Sequence, residues 1–270
     1  MKRPIVVLPL VLSCVAATNA MAQQPGSEMT GFVSLPFEID GASRTAALYV
    51  PVGYDASEPW PLIVFLHGAG GTGDNGDNAV NEWMGSQPIV RAIQADPDRF
   101  KSLVVLPRSP TGSIWMPLPA DAEQSAWRQE NVNQASANAE AHITAVIDAT
   151  IAAFAVDEDR IVLTGQSMGG EGAVRYAALH SGRFAAVAPS APFSAYFPSD
   201  VSALAELPVW IFQGEVDPIS SPAYARRMVE AISAAGGTPK YTEYEGLGHR
   251  IPFLVYSDAQ VIEWMLSQRR

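Results

Sequence analysis

Cysteine is nearly absent from this chain. The single one, Cys14, lies in the first apolar stretch, so the residues beyond it can form no disulfide and must be held together by packing. Histidine is scarce as well, with four in 270 residues, so a reaction that needs an imidazole has few candidates. Positive charge is in deficit: 17 Lys and Arg face 28 Asp and Glu, for a formal net charge of −11. That balance disfavours nucleic acid and anionic membrane surfaces as partners. Long uncharged apolar runs are also missing. The run from Ile5 to Leu12 is far shorter than the roughly 20 residues a spanning helix needs, and no later run is both long enough and free of charge, so no membrane insertion is expected.

What the N-terminus does carry is a basic head, Met1-Lys2-Arg3, the short apolar body, and Ala20-Met21-Ala22 as a small-residue cleavage pattern. This reads as a secretory signal over residues 1–22, leaving 23–270 as one domain in a secreted or periplasmic protein. Val11-Leu12-Ser13-Cys14 keeps a lipoprotein box open as the alternative. Loss of Lys2 and Arg3 would make the mature chain still more acidic.

With 48% hydrophobic residues, 21 glycines and 21 prolines, the chain can bury one sizeable core and still have many loops. Gly31 to Ile39 and Thr45 to Val50 are β-rich runs separated by Asp40-Gly41, a dipeptide that tolerates the positive φ of a tight turn, which predicts an antiparallel hairpin. Pro61 to Leu66 is an unbroken apolar run, as expected of a strand covered on both faces. Further buried strands are expected at Ser102 to Leu106, Ile161 to Thr164, Phe184 to Ala188, Val209 to Phe212 and Lys240 to Tyr244. Between them lie helical stretches near Ile89 to Ala95, Ala137 to Phe154, Ala173 to His180, Pro222 to Ala235 and Ser257 to Gln268. In the second of these Ile143, Val146, Ile147, Ile151 and Phe154 form one apolar stripe that should lie on a sheet. Strand and helix alternation predicts an α/β fold with a mostly parallel central sheet and helices on both faces. Pro107 to Asn133 is the longest irregular segment and is expected to form a loop or small cap near the site.

Gly165-Gln166-Ser167-Met168-Gly169 joins a strand to a helix, the context in which G-x-S-x-G forms a nucleophile elbow. A serine hydroxyl is a poor nucleophile near neutral pH, so Ser167 needs an imidazole base, and that base needs a carboxylate to fix its tautomer. Of the histidines only His249, in Gly246-Leu247-Gly248-His249, follows a late strand in a glycine-bordered loop, so it is assigned as the base. His67, His142 and His180 fit surface or packing roles better. The loop Gln213-Gly214-Glu215-Val216-Asp217-Pro218 supplies the acid; Asp217 is preferred because the following proline favours an extended backbone, with Glu215 as the fallback. Two backbone amides should receive the charge that develops on a carbonyl oxygen: that of Met168 at the helix start, and that of Ala69 in His67-Gly68-Ala69-Gly70-Gly71, where Gly68 and Gly70 stay open as neighbours. Read alone, the glycine run is equally a tight turn or an anion nest.

Taken in order, Leu66 to Gly71, Asp159 to Gly170, Gly214 to Pro218 and Tyr241 to His249 resemble one branch of the α/β-hydrolases, the phospholipase/carboxylesterase-like "predicted peptidases". That branch is related to secreted feruloyl esterases and polyhydroxybutyrate depolymerases. The likeness runs from about Tyr49 to the C-terminus. It implies an esterase with a Ser-Asp-His triad, no cofactor and no metal, acting on a small or polymer-attached ester. A serine peptidase and a non-catalytic polymer-binding module remain as alternatives. Two features depart from the pattern. Glu171 follows the double glycine, either to complement the helix dipole or to face the pocket, and Arg250-Ile251-Pro252 follows the base where polar and aromatic residues are usual. Trp83, Trp115, Met116 and Trp127 could grip a substrate group or cover the core. Asp74 to Asn78 only loosely resembles a calcium loop and reads better as a solvated turn.

Overall fold

The computed structural model describes residues 31–73, 82–124, 129, 137–192 and 195–270. The expected leader, the Asp74 to Asn78 turn and part of the expected cap lie outside them. Eight strands build one sheet: β1 Gly31–Ile39, β2 Ala42–Val50, β3 Trp60–Leu66, β4 Leu103–Leu106, β5 Val156–Gln166, β6 Ala186–Ser190, β7 Trp210–Gly214 and β8 Lys240–Tyr244. Their order is β1-β2-β4-β3-β5-β6-β7-β8. β1 and β2 pair antiparallel, β2 pairs antiparallel with β4, and from β4 to β8 the sheet is parallel.

The hairpin turns where the sequence expects it. Asp40 and Gly41 both take positive φ, 50° and 76°, which a two-residue turn matched to strand twist requires. From β3 to β8 each strand is followed by helix before the next, apart from short 3₁₀ turns and irregular segments: α1 Pro88–Ala95, α2 Glu140–Ala153, α3 Met168–Leu179, α4 Pro222–Ala234, α5 Pro252–Ser257 and α6 Ala259–Ser267, together with the short helices Glu82–Gly85 before α1 and Val201–Ala205 between β6 and β7. Successive strand residues point to opposite faces, so the continuous apolar run of β3 feeds two cores. Leu62, Val64 and Leu66 pack with Ile143, Val146 and Ile147 of α2, with Ala173 and Ala177 of α3 and with Met228 of α4. Ile63 and Phe65 pack with Ile89 and Ile93 of α1, Tyr256 of α5 and Ile262 of α6. The result is a three-layer α/β/α arrangement, with the loops after β3, β5, β7 and β8 gathered at the carboxyl edge of the sheet.

Several expected boundaries shift: β2 starts at Ala42 instead of Thr45, and β6 runs Ala186–Ser190 instead of Phe184 to Ala188. α3 begins at Met168, not near Ala173, because Gly169, Gly170 and Gly172 are helical despite their poor propensity. β5 starts at Val156, whose partner is Trp60, five residues before the expected Ile161. Ala137–Asn138 pairs in parallel with Ser113–Ile114 instead of opening α2. Among the described residues no helix is long and apolar enough to cross a membrane.

Candidate active site

Ser167 sits between β5 and α3 with φ 55° and ψ −120°, a conformation that costs a non-glycine residue on the order of 1–3 kcal/mol. The surrounding contacts hold it there. Its amide donates to the Ser190 carbonyl at the end of β6 (2.9 Å), and its own carbonyl accepts from the Glu171 amide (3.0 Å). The flanking glycines are a matter of space: a Cβ on Gly165 would lie 2.4 Å from the Gly169 carbonyl oxygen, and one on Gly169 would lie 2.0 Å from that of Leu66.

The His249 loop delivers an imidazole to this hydroxyl. His249 Nε2 is 2.9 Å from Ser167 Oγ, and His249 Nδ1 is 2.8 Å from Asp217 Oδ2. The carboxylate is enclosed while the imidazole side chain keeps about a fifth of its surface exposed (0% against 21%). Asp217 is fixed by its own loop: Oδ1 accepts from the amides of Ile219 and Ser220, both at 2.8 Å, and Oδ2 from Gln213 Nε2 at 3.1 Å. With those bonds made, Oδ2 is aimed at the imidazole, whose Nδ1–H donates to it. Glu215, the fallback acid, does something else: its Oε2 accepts from the Gly246 amide at 2.7 Å, tying the β7 loop to the β8 loop. The Val216 amide donates to the Leu247 carbonyl at 3.0 Å and reinforces the same link.

Across the serine lies the glycine-rich turn after β3. Ala69–Gly71 is a short 3₁₀ turn, and the Cβ direction of Gly68 points at Ser167 Cβ, 3.4 Å away. The Ala69 amide is the first of that turn and the Met168 amide the first of α3, positions whose N–H groups have no acceptor within their own helix. Ala69 lines the same cleft as Ser167, and Met168 follows the serine directly.

His67 is not a second base. It is fully buried, Nδ1–H donates to the Gly68 carbonyl at 2.7 Å, and Nε2 accepts from the Ser109 amide at 3.0 Å. Desolvation, chiefly, and the nearby Arg108 guanidinium push its pKa down to about 4 against the opposing effect of the Gly68 carbonyl. Trp115 is wholly buried, its indole N–H donates to the His67 carbonyl at 2.8 Å and its ring lies 4.8 Å from the imidazole. Trp115 and Met116 thus belong to the core, while the side chains of Trp83 and Trp127 lie outside the described residues. This support of the glycine turn is what sequence reasoning missed; the buried partner Ser109 is distant in sequence and carries no motif. His142 is buried, and His180 lies 3.6 Å from Glu140, as packing and surface roles require. Glu171 is buried in the first turn of α3 and does not line the cleft.

The cleft at the serine holds about 360 Å³ and is lined by Gly68, Ala69 and Gly70 of the glycine turn and by Ile219, Arg250, Pro252 and Phe253. Its size is at the lower end of small-molecule sites.

A family model described as phospholipase/carboxylesterase matches residues 51–260. Among solved structures, a thermostable esterase is 29% identical, with a TM-score of 0.68 over 88% of this chain and 63% of that one. The chain therefore spans less than two thirds of that esterase's length. A CE1 ferulic acid esterase from Anaeromyces mucronatus, in complex with ferulic acid, is 15% identical with a TM-score of 0.60, covering 91% of this chain and 93% of that one. An S-formylglutathione hydrolase from Agrobacterium tumefaciens is 17% identical with a TM-score of 0.59, covering 90% and 98%. These last two show the fold alone. No curated protein matches the chain.

Proposed function

Because the chain belongs to the phospholipase/carboxylesterase family of α/β-hydrolases, we propose that it is a serine carboxylic-ester hydrolase whose catalytic residues are Ser167, His249 and Asp217. The observation that carries this reading is the unbroken polar chain from Ser167 Oγ through both ring nitrogens of His249 to Asp217, with links of 2.9 and 2.8 Å. Ser167 Oγ attacks the ester carbonyl as His249 Nε2 takes its proton, and Asp217 holds the ring and stabilises the imidazolium. The carbonyl oxygen gains negative charge and is received by the amides of Ala69 and Met168. Collapse breaks the bond to the alcohol oxygen, which takes the proton back from Nε2 and leaves an acyl-enzyme. Water, deprotonated by the same nitrogen, then releases the acid and restores the serine.

Small esters, free or attached to a polymer, suit a cleft of about 360 Å³. The mature protein is read as a single domain, residues 23–270, exported by the leader. Ser167→Ala should abolish hydrolysis of p-nitrophenyl butyrate and labelling by a fluorophosphonate while the melting temperature stays close to that of the parent. Turnover or labelling that survives the substitution ends the assignment. The matching p-nitroanilide, run in parallel, separates esterase from peptidase; faster cleavage of the anilide would reverse the preference stated here.

A further inference from the structure

Arginine on this protein is commonly matched by acid. Most described arginines lie against a carboxylate, among them Arg226 on Glu243 and Arg227 on Glu123. Two exposed exceptions meet at the mouth of the cleft. Arg250, the residue after the base, lines the cleft and has no carboxylate within salt-bridge distance among the described residues. Arg91 lies with its guanidinium 5.2 Å above the ring of Phe253, another lining residue; its Nε donates to the Gly85 carbonyl at 3.3 Å, and it too lacks an acidic partner among the described residues. Among the described residues no Asp or Glu lines the cleft. In a chain of net charge −11, two cations with no acidic partner among the described residues at one mouth favour an anionic group there.

The direction of the proton fixes which half of a substrate meets them. His249 Nε2 must return its proton to the alcohol oxygen, so the alcohol half lies beside His249, whose chain neighbours Arg250, Pro252 and Phe253 line the same cleft together with Ile219. The acyl half is left to the remaining space beside the glycine turn. On that basis, and resting on the esterase reading above, we propose that the preferred substrates carry a carboxylate on a ring-bearing alcohol half, with Arg250 as the residue that receives it. The apolar side chains of Ile219 and Phe253 cover the ring, and the guanidinium offers paired N–H donors to a carboxylate, which an ammonium cannot do. No step is added to the reaction: the acyl carbon–oxygen bond breaks as before, and the phenolic oxygen takes the proton from His249.

The test compares 4-acetoxybenzoate with 4-acetoxybenzamide, which share an acyl group and a shape and differ in charge. At low ionic strength kcat/KM should favour the benzoate by about tenfold, and salt at about 0.5 M should erode that preference because Arg250 is exposed. In Arg250→Gln the ratio should fall to near one; in Arg250→Lys part of it should return. Equal turnover of the two esters by the parent, a preference for the amide, or a ratio unmoved in Arg250→Gln would each overturn this inference and leave the esterase reading intact. Absence of turnover on both esters, together with an unlabelled Ser167, would remove the esterase reading itself.

Discussion

The two histidines of the site show how one side chain takes opposite roles from its surroundings. His249 reaches solvent on one edge and bridges Ser167 and Asp217, whereas His67 is sealed beneath the glycine turn with both ring nitrogens engaged. The partners of His67 set its tautomer, since the Gly68 carbonyl requires Nδ1–H and the Ser109 amide requires a lone pair on Nε2. Gly71 packs on the ring so closely that a Cβ there would lie 2.4 Å from Nδ1. On the oxyanion role proposed for the Ala69 amide, His67 is a positioning residue that acts through it. His67→Phe, which fills much of the space and makes neither hydrogen bond, should lower kcat about tenfold to a hundredfold with little change in KM, because a misplaced oxyanion donor is felt only in the transition state. A rise in KM at constant kcat, measured on p-nitrophenyl butyrate, would count against that role. The sequence held both histidines in glycine-bordered loops, and only chain order told them apart. The burial and the Ser109 partner that distinguish them physically come from a segment 42 residues further along the chain.

Elements meet at this site through glycines placed for contact. A Cβ on Gly214, the last residue of β7, would lie 2.4 Å from the Gly248 carbonyl oxygen and 2.6 Å from that of Leu247. Both obstacles are backbone of the loop that carries His249, so neither can swing aside. Gly214→Ala should push the β8 loop away from the β7 loop and strain the His249–Asp217 bond, reducing kcat/KM by about a hundredfold or more and lowering the thermal midpoint. A variant with parental kcat/KM would show that the two loops can part without loss. Crowding of this kind explains which parts of the fold were legible beforehand. The Asp40-Gly41 hairpin, the parallel strands and the stripe of α2 follow from local conformational preference and periodicity, and they form as expected apart from shifted ends of β5 and β6. The start of α3 does not, because its glycines are poor helix formers that are retained for close approach to Leu66 and to Trp115, against whose Cβ a Gly172 side chain would lie at 2.5 Å. The helix Pro252–Ser257 was likewise hidden, being short and opened by a proline after Arg250-Ile251.

At the scale of the whole molecule, the absence of disulfides beyond Cys14 leaves stability to the two cores, and this makes it sensitive to acid through imidazoles as well as carboxylates. His67 is held down to about 4 from an ordinary value of 6.5, mainly by desolvation. His142, buried against Phe37 with neither ring nitrogen hydrogen-bonded among the described residues, is also held down to about 4, by desolvation first and then by Arg44, with Asp40 opposing. The sign follows from proton counting. Below about 6.5 the unfolded chain binds protons that the folded protein refuses until near pH 4. The contribution is therefore fully present above the unfolded value and is lost as pH falls through this window. For the fully buried His67 the loss is on the order of 3 kcal/mol. Glu243, whose carboxyl is lowered chiefly by its hydrogen bond to Arg226, acts in the same direction at lower pH, losing its contribution as pH falls from the usual carboxylate range through its depressed value. Urea midpoints taken from pH 7.5 down to pH 4.5 should accordingly begin to fall between about 6.5 and 5.5, before any carboxylate titrates in the unfolded chain. His142→Leu should flatten the upper part of that fall, since it removes one of the two refused protons. A stability flat down to pH 5 in the parent would mean that neither imidazole is as sealed as its surroundings require.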